Sequence, residues 1–237
     1  MKFALAKTET PLFNTPHFEH LHILAKEIET MALKDTKFSI LDQIKETIFL
    51  AKTTEYPHPV YVDGRFLEFI EQEPPERIIK KPSHALISQR LLAIHAKKLP
   101  YLWGGNWSEG IPSLPHLQGV DCSGLLYEAT CGYTPRNTSE LVSYKQGLPI
   151  EGLSREALTL SVKPLDLIVW KGHVIIVLDP QTTIESREHR GVILTPLKER
   201  FDELLDQDNR LPLNEPHPSH PYFVIRRWYA NRESDWR

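Results

Sequence analysis

The hydrophobic and polar positions of this chain follow two rhythms. In ALISQRLLAIHAKKL, residues 85–99, Leu86, Leu91, Ile94 and Leu99 recur along one helix face with polar side chains between them, and Pro100 ends the run. A shorter helix is predicted over SGLLYEATCGY, closed by Gly132. Beyond it the period changes. LDLIVW, HVIIVLD, TTIESR, GVILTPL and YFVIRRWY are runs of β-branched, aliphatic and aromatic residues bounded by turn formers, and each reads as a strand. One helix followed by antiparallel strands, without βαβ alternation, predicts an α+β fold. Upstream, ETIFLAKT and PVYVDGRFLEFI read as strands, whereas HFEHLHILAKEIETMA sets Phe18, Leu21, Leu24, Ile28 and Met31 at helical spacing and predicts a helix over residues 17–32. The segment EQEPPERIIKKPSH, with Pro74, Pro75 and Pro82, breaks both rhythms and marks a boundary between a small domain, 1–80, and a larger one, 81–237.

Composition narrows the classes. With 41% hydrophobic and 25% charged residues the chain is that of a folded protein rather than a disordered one. A net charge of -3 and a pI near 6.4 provide no basic field for a phosphate backbone, so no nucleic-acid partner is expected. No segment approaches the roughly 20 apolar residues that cross a bilayer, and MKFALAKTET lacks the apolar stretch of a secretory signal; no membrane partner and a cytoplasmic location are expected, with export by another route left open. Cys122 and Cys131 cannot build a disulfide scaffold, and no CxxC or HExxH spacing marks a metal, so neither metal nor cofactor is expected. Oligomeric state is not legible in the pattern.

The candidate chemistry centres on GVDCSGLLY. Cys122 opens the predicted short helix, where the dipole and free amides favour a thiolate; the competing reading is a buried helix-start residue without function. A catalytic thiol needs a base. His173 opens the strand HVIIVLD after Lys171-Gly172, and with period 2 it shares a face with Ile175 and Val177, the face expected to pack on the Cys122 helix. Glu185, on the next strand, either accepts the second ring N–H of His173 or faces solvent, and His189 competes for that third place. Cys131, nine residues on, points off the Cys122 face and reads as structural.

These residues sit in an ordered set: Tyr101-Leu102-Trp103-Gly104-Gly105, Asp121-Cys122-Ser123-Gly124-Leu125, Pro135-Arg136-Asn137-Thr138-Ser139, Pro164-Leu165-Asp166-Leu167-Ile168, Gly172-His173-Val174 and Thr183-Ile184-Glu185-Ser186. In order and spacing the set resembles the NlpC-type family of bacterial cell-wall cysteine peptidases over about residues 85–230. The resemblance implies a papain-like domain with Cys122 as nucleophile, His173 as base and Glu185 in the third position, commonly a histidine in the family. It places Tyr101 near the nucleophile and substrate backbone. It also aligns Asp121 and Ser123 with positions that hold the substrate's N-terminal ammonium in the subgroup cleaving short free peptides, although Asp121 is equally a helix N-cap. The implied substrate is the γ-D-glutamyl to L-diamino acid amide of a peptidoglycan stem peptide. The first domain is expected to be a Src-homology-3-like barrel, against a helical or irregular cap. NWSEGIPSLPHLQGV, residues 106–120, is longer than the family's usual loop and is expected to lie over the groove. The rival functions are a papain-like amidase or acyltransferase acting on another substrate, and a peptide-binding module that has lost turnover; a hydrolytically active thiol separates them.

Overall fold

In the computed structural model residues 2–18, 27–110, 117–217 and 219–229 are described. The first seventy residues build an antiparallel sheet from β1 (Phe3–Ala6), β2 (Thr10–Phe13), β3 (Ile28–Ala32), β4 (Lys37–Gln43), β5 (Ile48–Thr53), β6 (Tyr56–Asp63) and β7 (Leu67–Ile70), in the order β3-β2-β6-β5-β4-β1-β7. Register shifts in the β2/β3, β4/β5 and β5/β6 pairs bend the strands, and the sheet curls around Ala4, Ala6, Leu12, Phe38, Val60 and Val62.

The helix expected over 17–32 is corrected in its last five residues, which form β3 and pair with β2 from Thr10↔Ala32 to Phe13↔Ile28. Leu21 and Leu24 lie outside the described residues. Ile28 and Met31 satisfy helical spacing, yet this short strand is covered on both sides: Ala32 joins the curled core, while Ile28 and Met31 pack with Phe13, Phe18, Ile48 and Leu117. Ladder bonds and two-sided burial override the local period.

Residues 71–83 carry neither helix nor strand. Ser83 then caps α1 (His84–Ala96), accepting the Leu86 N–H at 3.3 Å, and α1 buries Ile87, Leu91 and Ile94. A short ladder of β8 (Asn106–Trp107) and β9 (Gly119–Val120) leads into α2 (Cys122–Ala129). There follow α3 (Thr138–Leu141), β10 (Gln146–Gly147), α4 (Arg155–Ser161), β11 (Leu167–Trp170), β12 (His173–Asp179), β13 (Thr182–Arg187), β14 (Gly191–Pro196) and α5 (Leu197–Asp202). A π-helical turn, Glu203–Gln207, then leads to β15 (Leu211–Pro212) and β16 (Tyr222–Arg227). The second sheet runs β10-β16-β11-β12-β13-β14, with β15 parallel to β16. The architecture is mixed α+β, and the five strands expected in the second half are all present.

Both faces of this sheet are covered, which is why HVIIVL reads as one apolar run. Val169, Val174, Ile176 and Ile184 pack with Leu91, Leu125 and Leu126 of α1 and α2; Ile168, Trp170, Ile175 and Val177 pack with Leu158, Leu197 and Phe201 of α4 and α5. The expectation that the Ile175/Val177 face meets the Cys122 helix is therefore corrected: Val174 and Ile176 meet it, and the other face turns to α5.

Of the long loop, residues 106–110 and 117–120 are described. Its described part docks on the edge of β3. Asn106 Oδ1 accepts the Met31 N–H at 2.8 Å and its Nδ2 donates to the Met31 carbonyl at 2.9 Å, so one side chain satisfies both groups of an edge residue. Leu117 and Trp107 add apolar contact there. His116 lies outside the described residues.

Candidate active site

Cys122 is the first residue of α2, and Asp121 is its N-cap: Oδ1 accepts the Gly124 N–H at 2.6 Å. The helix start is pressed against the chain at Gly105, whose carbonyl accepts the Asp121 N–H at 2.8 Å. The Cys122 side chain is 5% exposed. Its Sγ lies 3.9 Å from the Gly172 carbonyl oxygen, and the Val174 N–H points at the sulfur from the other side of His173. Burial, with the Asp121 charge behind it, pushes the thiol up to about 12, against the pull of the Val174 N–H, Arg136 and the Ser123 N–H. This setting favours the protonated thiol.

His173 begins β12, and its Nε2 is 2.6 Å from Oε2 of Glu185 on β13. The register that sets Ile176 opposite Ile184 carries Glu185 to the same face as Ile175 and His173. An ionised carboxylate only accepts, so Nε2 carries a ring proton, and the tautomer that fits this contact is the one with the Nδ1 lone pair. Between imidazole and Sγ no hydrogen bond forms among the described residues. The Trp170 ring packs 5.0 Å from the imidazole, centroid to centroid.

Glu185 is 0% exposed. Burial works to raise its carboxyl, but the His173 hydrogen bond and the charges of Arg200 and Arg187 outweigh it and hold the group below the ordinary carboxylate value. Arg200, on α5, donates from Nε to Oε1 at 2.7 Å and from a terminal nitrogen to Oε2 at 3.3 Å.

Asp121 and Ser123 converge on Arg136, which is 3% exposed. Its terminal nitrogens donate to Asp121 Oδ1 at 3.1 Å and Oδ2 at 2.7 Å and to Ser123 Oγ at 2.8 Å, while Nε donates to Thr30 Oγ1 at 2.8 Å. The Gly104 N–H, at 3.0 Å, also donates to Asp121 Oδ2. Desolvation works against the Arg136 charge, and Asp121 overcomes it, raising the guanidinium further. The pair is a buried ion pair in which four of the five guanidinium N–H groups and both carboxylate oxygens are hydrogen-bonded, the condition under which such a pair is tolerable.

Two cavities meet at Tyr101, Trp103 and Gly172, and the smaller has the thiol in its wall. One, of about 80 Å³, is lined by Glu29, Tyr56, Tyr101, Asp121, Cys122 and Ser123 among others. The other, about 930 Å³, is an open cleft past His173 whose walls include Tyr101, Trp103, Glu188 and Arg190. In the smaller cavity Tyr56 donates its hydroxyl to Oε2 of Glu29. Burial above all, with the Asp121 and Glu188 charges adding to it, raises the Tyr101 phenol well above its ordinary value, so it is a donor.

The structure brings Tyr101, Asp121, Cys122 and Ser123 into one cavity and ties His173 to Glu185. His189, the competitor for the third place, is exposed in the β13–β14 turn with its ring near Glu188. Cys131 lies past the end of α2 at φ 55, exposed rather than packed, with Arg90 2.7 Å from its sulfur. Glu29, Tyr56, Arg136 and Arg200 escaped the sequence reading as site residues. Arg136 stood in the quoted PRNTS stretch without a role, and Arg200 sits in a segment where Leu197, Phe201 and Leu204 recur at helical spacing. Among the described residues no group of three metal-ligand side chains forms, and no helix is long and apolar enough to cross a membrane.

No family model matches the chain, and no curated protein does. Among solved structures it is similar to an NlpC/P60 family protein from Bacillus cereus, at 18% identity and a TM-score of 0.36, over 95% of this chain and 63% of that one. It is also similar to NlpC2 from Trichomonas vaginalis, at 16% identity, TM-score 0.39, 97% of this chain and 73% of that one. NlpC1 from the same organism gives 15% identity and a TM-score of 0.38, over 97% and 70%. The chain thus spans less than two thirds of the Bacillus cereus protein's length. Likeness this distant adds nothing to the roles of individual residues.

Proposed function

We propose that this chain is an NlpC-type cysteine peptidase whose papain-like unit, residues 81–237, is preceded by a Src-homology-3-like unit, residues 1–80, and that it hydrolyses the γ-D-glutamyl to L-diamino acid amide of short peptidoglycan stem peptides. What supports it is the place of the thiol at a helix start beside the β12 backbone that carries the His173–Glu185 pair. Cys122 stands at the amino end of a buried helix, against the backbone on either side of His173, whose ring is tied to a buried ionised Glu185. His173 Nδ1 takes the Sγ proton as sulfur attacks the amide carbon; the carbonyl π electrons move to oxygen. The oxyanion meets the Cys122 N–H, and Tyr101, a protonated phenol in the same cavity, is the candidate second donor. The imidazolium then protonates the departing amine, and water, deprotonated by the same nitrogen, cleaves the thioester.

Preference for a free N-terminus rests on the small cavity. Its lining holds the Glu29 carboxylate beside the Asp121–Arg136 pair and Ser123; with Asp121 balanced by Arg136, Glu29 is the carboxylate left to meet an ammonium. The substrate's acyl side then lies toward Glu29 and its leaving amine toward the larger cleft. The test is hydrolysis of L-Ala-γ-D-Glu-diaminopimelate by the wild type and by Cys122→Ala, with mass spectrometry of the products. Cleavage at the γ-glutamyl bond by the wild type alone is expected. Binding without cleavage by either protein points instead to a peptide-binding module, and neither binding nor cleavage removes this substrate class.

A further inference from the structure

Behind the His173–Glu185 pair, away from both cavities, a buried charge network has no part in the steps above. Arg200, 2% exposed, is the one guanidinium among the described residues that hydrogen-bonds Glu185, at 2.7 and 3.3 Å. Its remaining terminal nitrogen donates to Glu203 at 2.8 Å, and Asp208 lies 3.9 Å away. From β13 itself, Arg187 approaches Glu185 to 4.0 Å and donates to Glu203 at 3.0 Å. From β12 comes His173, and beyond Trp170 the Arg210 guanidinium stacks 4.1 Å over the indole. Three carboxylates, Glu185, Glu203 and Asp208, therefore share this region, and Arg200 touches all of them.

A carboxylate with no exposure must be paired or protonated. For Glu185 the two states have opposite consequences one residue away. Ionised, it accepts from Nε2–H and leaves the Nδ1 lone pair for the thiol proton. Protonated, its O–H donates to Nε2, the ring proton moves to Nδ1, and the imidazole can no longer take a proton there. We propose that Arg200 is a positioning residue: its charge keeps Glu185 ionised and so holds His173 in the one tautomer able to accept the Cys122 proton. The proposal rests on the Cys122–His173 chemistry proposed above.

The test uses alkylation of Cys122 by iodoacetamide as a function of pH, in a Cys131→Ala background so that one thiol remains, together with the pH profile of peptide turnover. In Arg200→Met the acid limb of both profiles should rise by about one pH unit or more, the scale on which removing an adjacent opposite charge moves a carboxylate, with the plateau regained above it and KM unchanged. Arg200→Lys should restore part of the shift. In a Glu185→Gln background, Arg200→Met should move the limb no further. A folded Arg200→Met with an unmoved limb overturns the proposal, as does an equal shift in the Glu185→Gln background. Should Arg200→Met fail to fold, Glu185→Gln against Glu185→Gln/Arg200→Met decides: coincident limbs support the proposal, separated limbs overturn it. A wild-type alkylation limb that His173→Ala erases, with no peptide cleaved, removes the peptidase but leaves the role of Arg200 standing. No His173-dependent limb in the wild type overturns both.

Discussion

Glu128 illustrates how one residue's burial becomes a property of the whole protein. Its Oε2 accepts the Ser108 N–H at 2.8 Å and its Oε1 the Ser108 hydroxyl at 2.5 Å, with Lys97 Nζ 3.0 Å from the same hydroxyl. Burial pushes this carboxyl from 4.5 up to about 7, outweighing the two Ser108 bonds and Lys97. The sign follows from proton counting. Between about 4.5 and about 7 the folded protein holds a proton that the unfolded chain has lost, so stability falls as pH rises through that window and is level above it. At 1.36 kcal/mol per unit the full shift corresponds to about 3 kcal/mol, and partial exposure reduces this to about 1–2 kcal/mol. Glu185 acts in the opposite sense. Its carboxyl is held below the ordinary value, so its contribution is present above that value and lost as pH falls through the folded one. Urea midpoints at pH 5 and pH 8 isolate Glu128: the loss on going to pH 8 should be about 1–2 kcal/mol smaller in Glu128→Gln than in the wild type. Identical pH dependence in the two proteins refutes the assignment.

At the scale of elements, α2 depends on how closely its first turn approaches the preceding loop. A Cβ on Gly124 would stand 1.9 Å from the Gly105 carbonyl oxygen, a backbone atom that itself accepts the Asp121 N–H. Helix propensity alone says that Gly124→Ala stabilises by about 1 kcal/mol. The contact says the reverse, with overpacking costing about 1–3 kcal/mol and displacing the N-cap that positions Cys122. A melting temperature below wild type, with turnover reduced, is expected; a higher one means the first turn yields easily. The elements also show where sequence patterns carry information. α1, α2 and the five long strands of the second half are legible as elements, although on α1 the expected face is corrected: Leu91 and Ile94 are buried as expected, but Ile87 rather than the exposed Leu86 completes the buried side, and Leu99 lies past the helix end. β3 is not, because its identity comes from β2, and Ile28 with Met31 fits a helix equally well. The facing of His173 and Glu185 across a strand pair, and the place of Cys122 at a helix start, were legible in the sequence. Arg200 was not, since nothing local tells that an arginine between Leu197 and Phe201 turns inward to a strand's carboxylate rather than outward to water.

Over the whole molecule, the smaller cavity is composite. β3 brings Glu29 and β6 brings Tyr56 to a thiol carried by α2, and this meeting is maintained by Asn106 on the Met31 backbone and by the Arg136 bond to Thr30. No pattern within either half predicts it, because the contacts join residues far apart in the chain. Under the function proposed above, the first sheet takes part in specificity rather than in chemistry, and the two are separable by experiment. Glu29→Gln keeps the shape and the Tyr56 contact while removing the charge that meets an ammonium. A charge-assisted hydrogen bond of about 1.5–3 kcal/mol corresponds to a rise in KM of about 10- to 100-fold for a peptide with a free N-terminus, with kcat little changed, because the interaction lies away from the scissile bond. The N-acetylated peptide has no ammonium to lose, so its slower cleavage should be the same in the wild type and in Glu29→Gln. Measured as the ratio of kcat/KM for the free over the acetylated peptide, selectivity should therefore collapse in the variant. An equal loss on both peptides assigns Glu29 to folding of the cavity instead, and an unchanged ratio places the ammonium elsewhere.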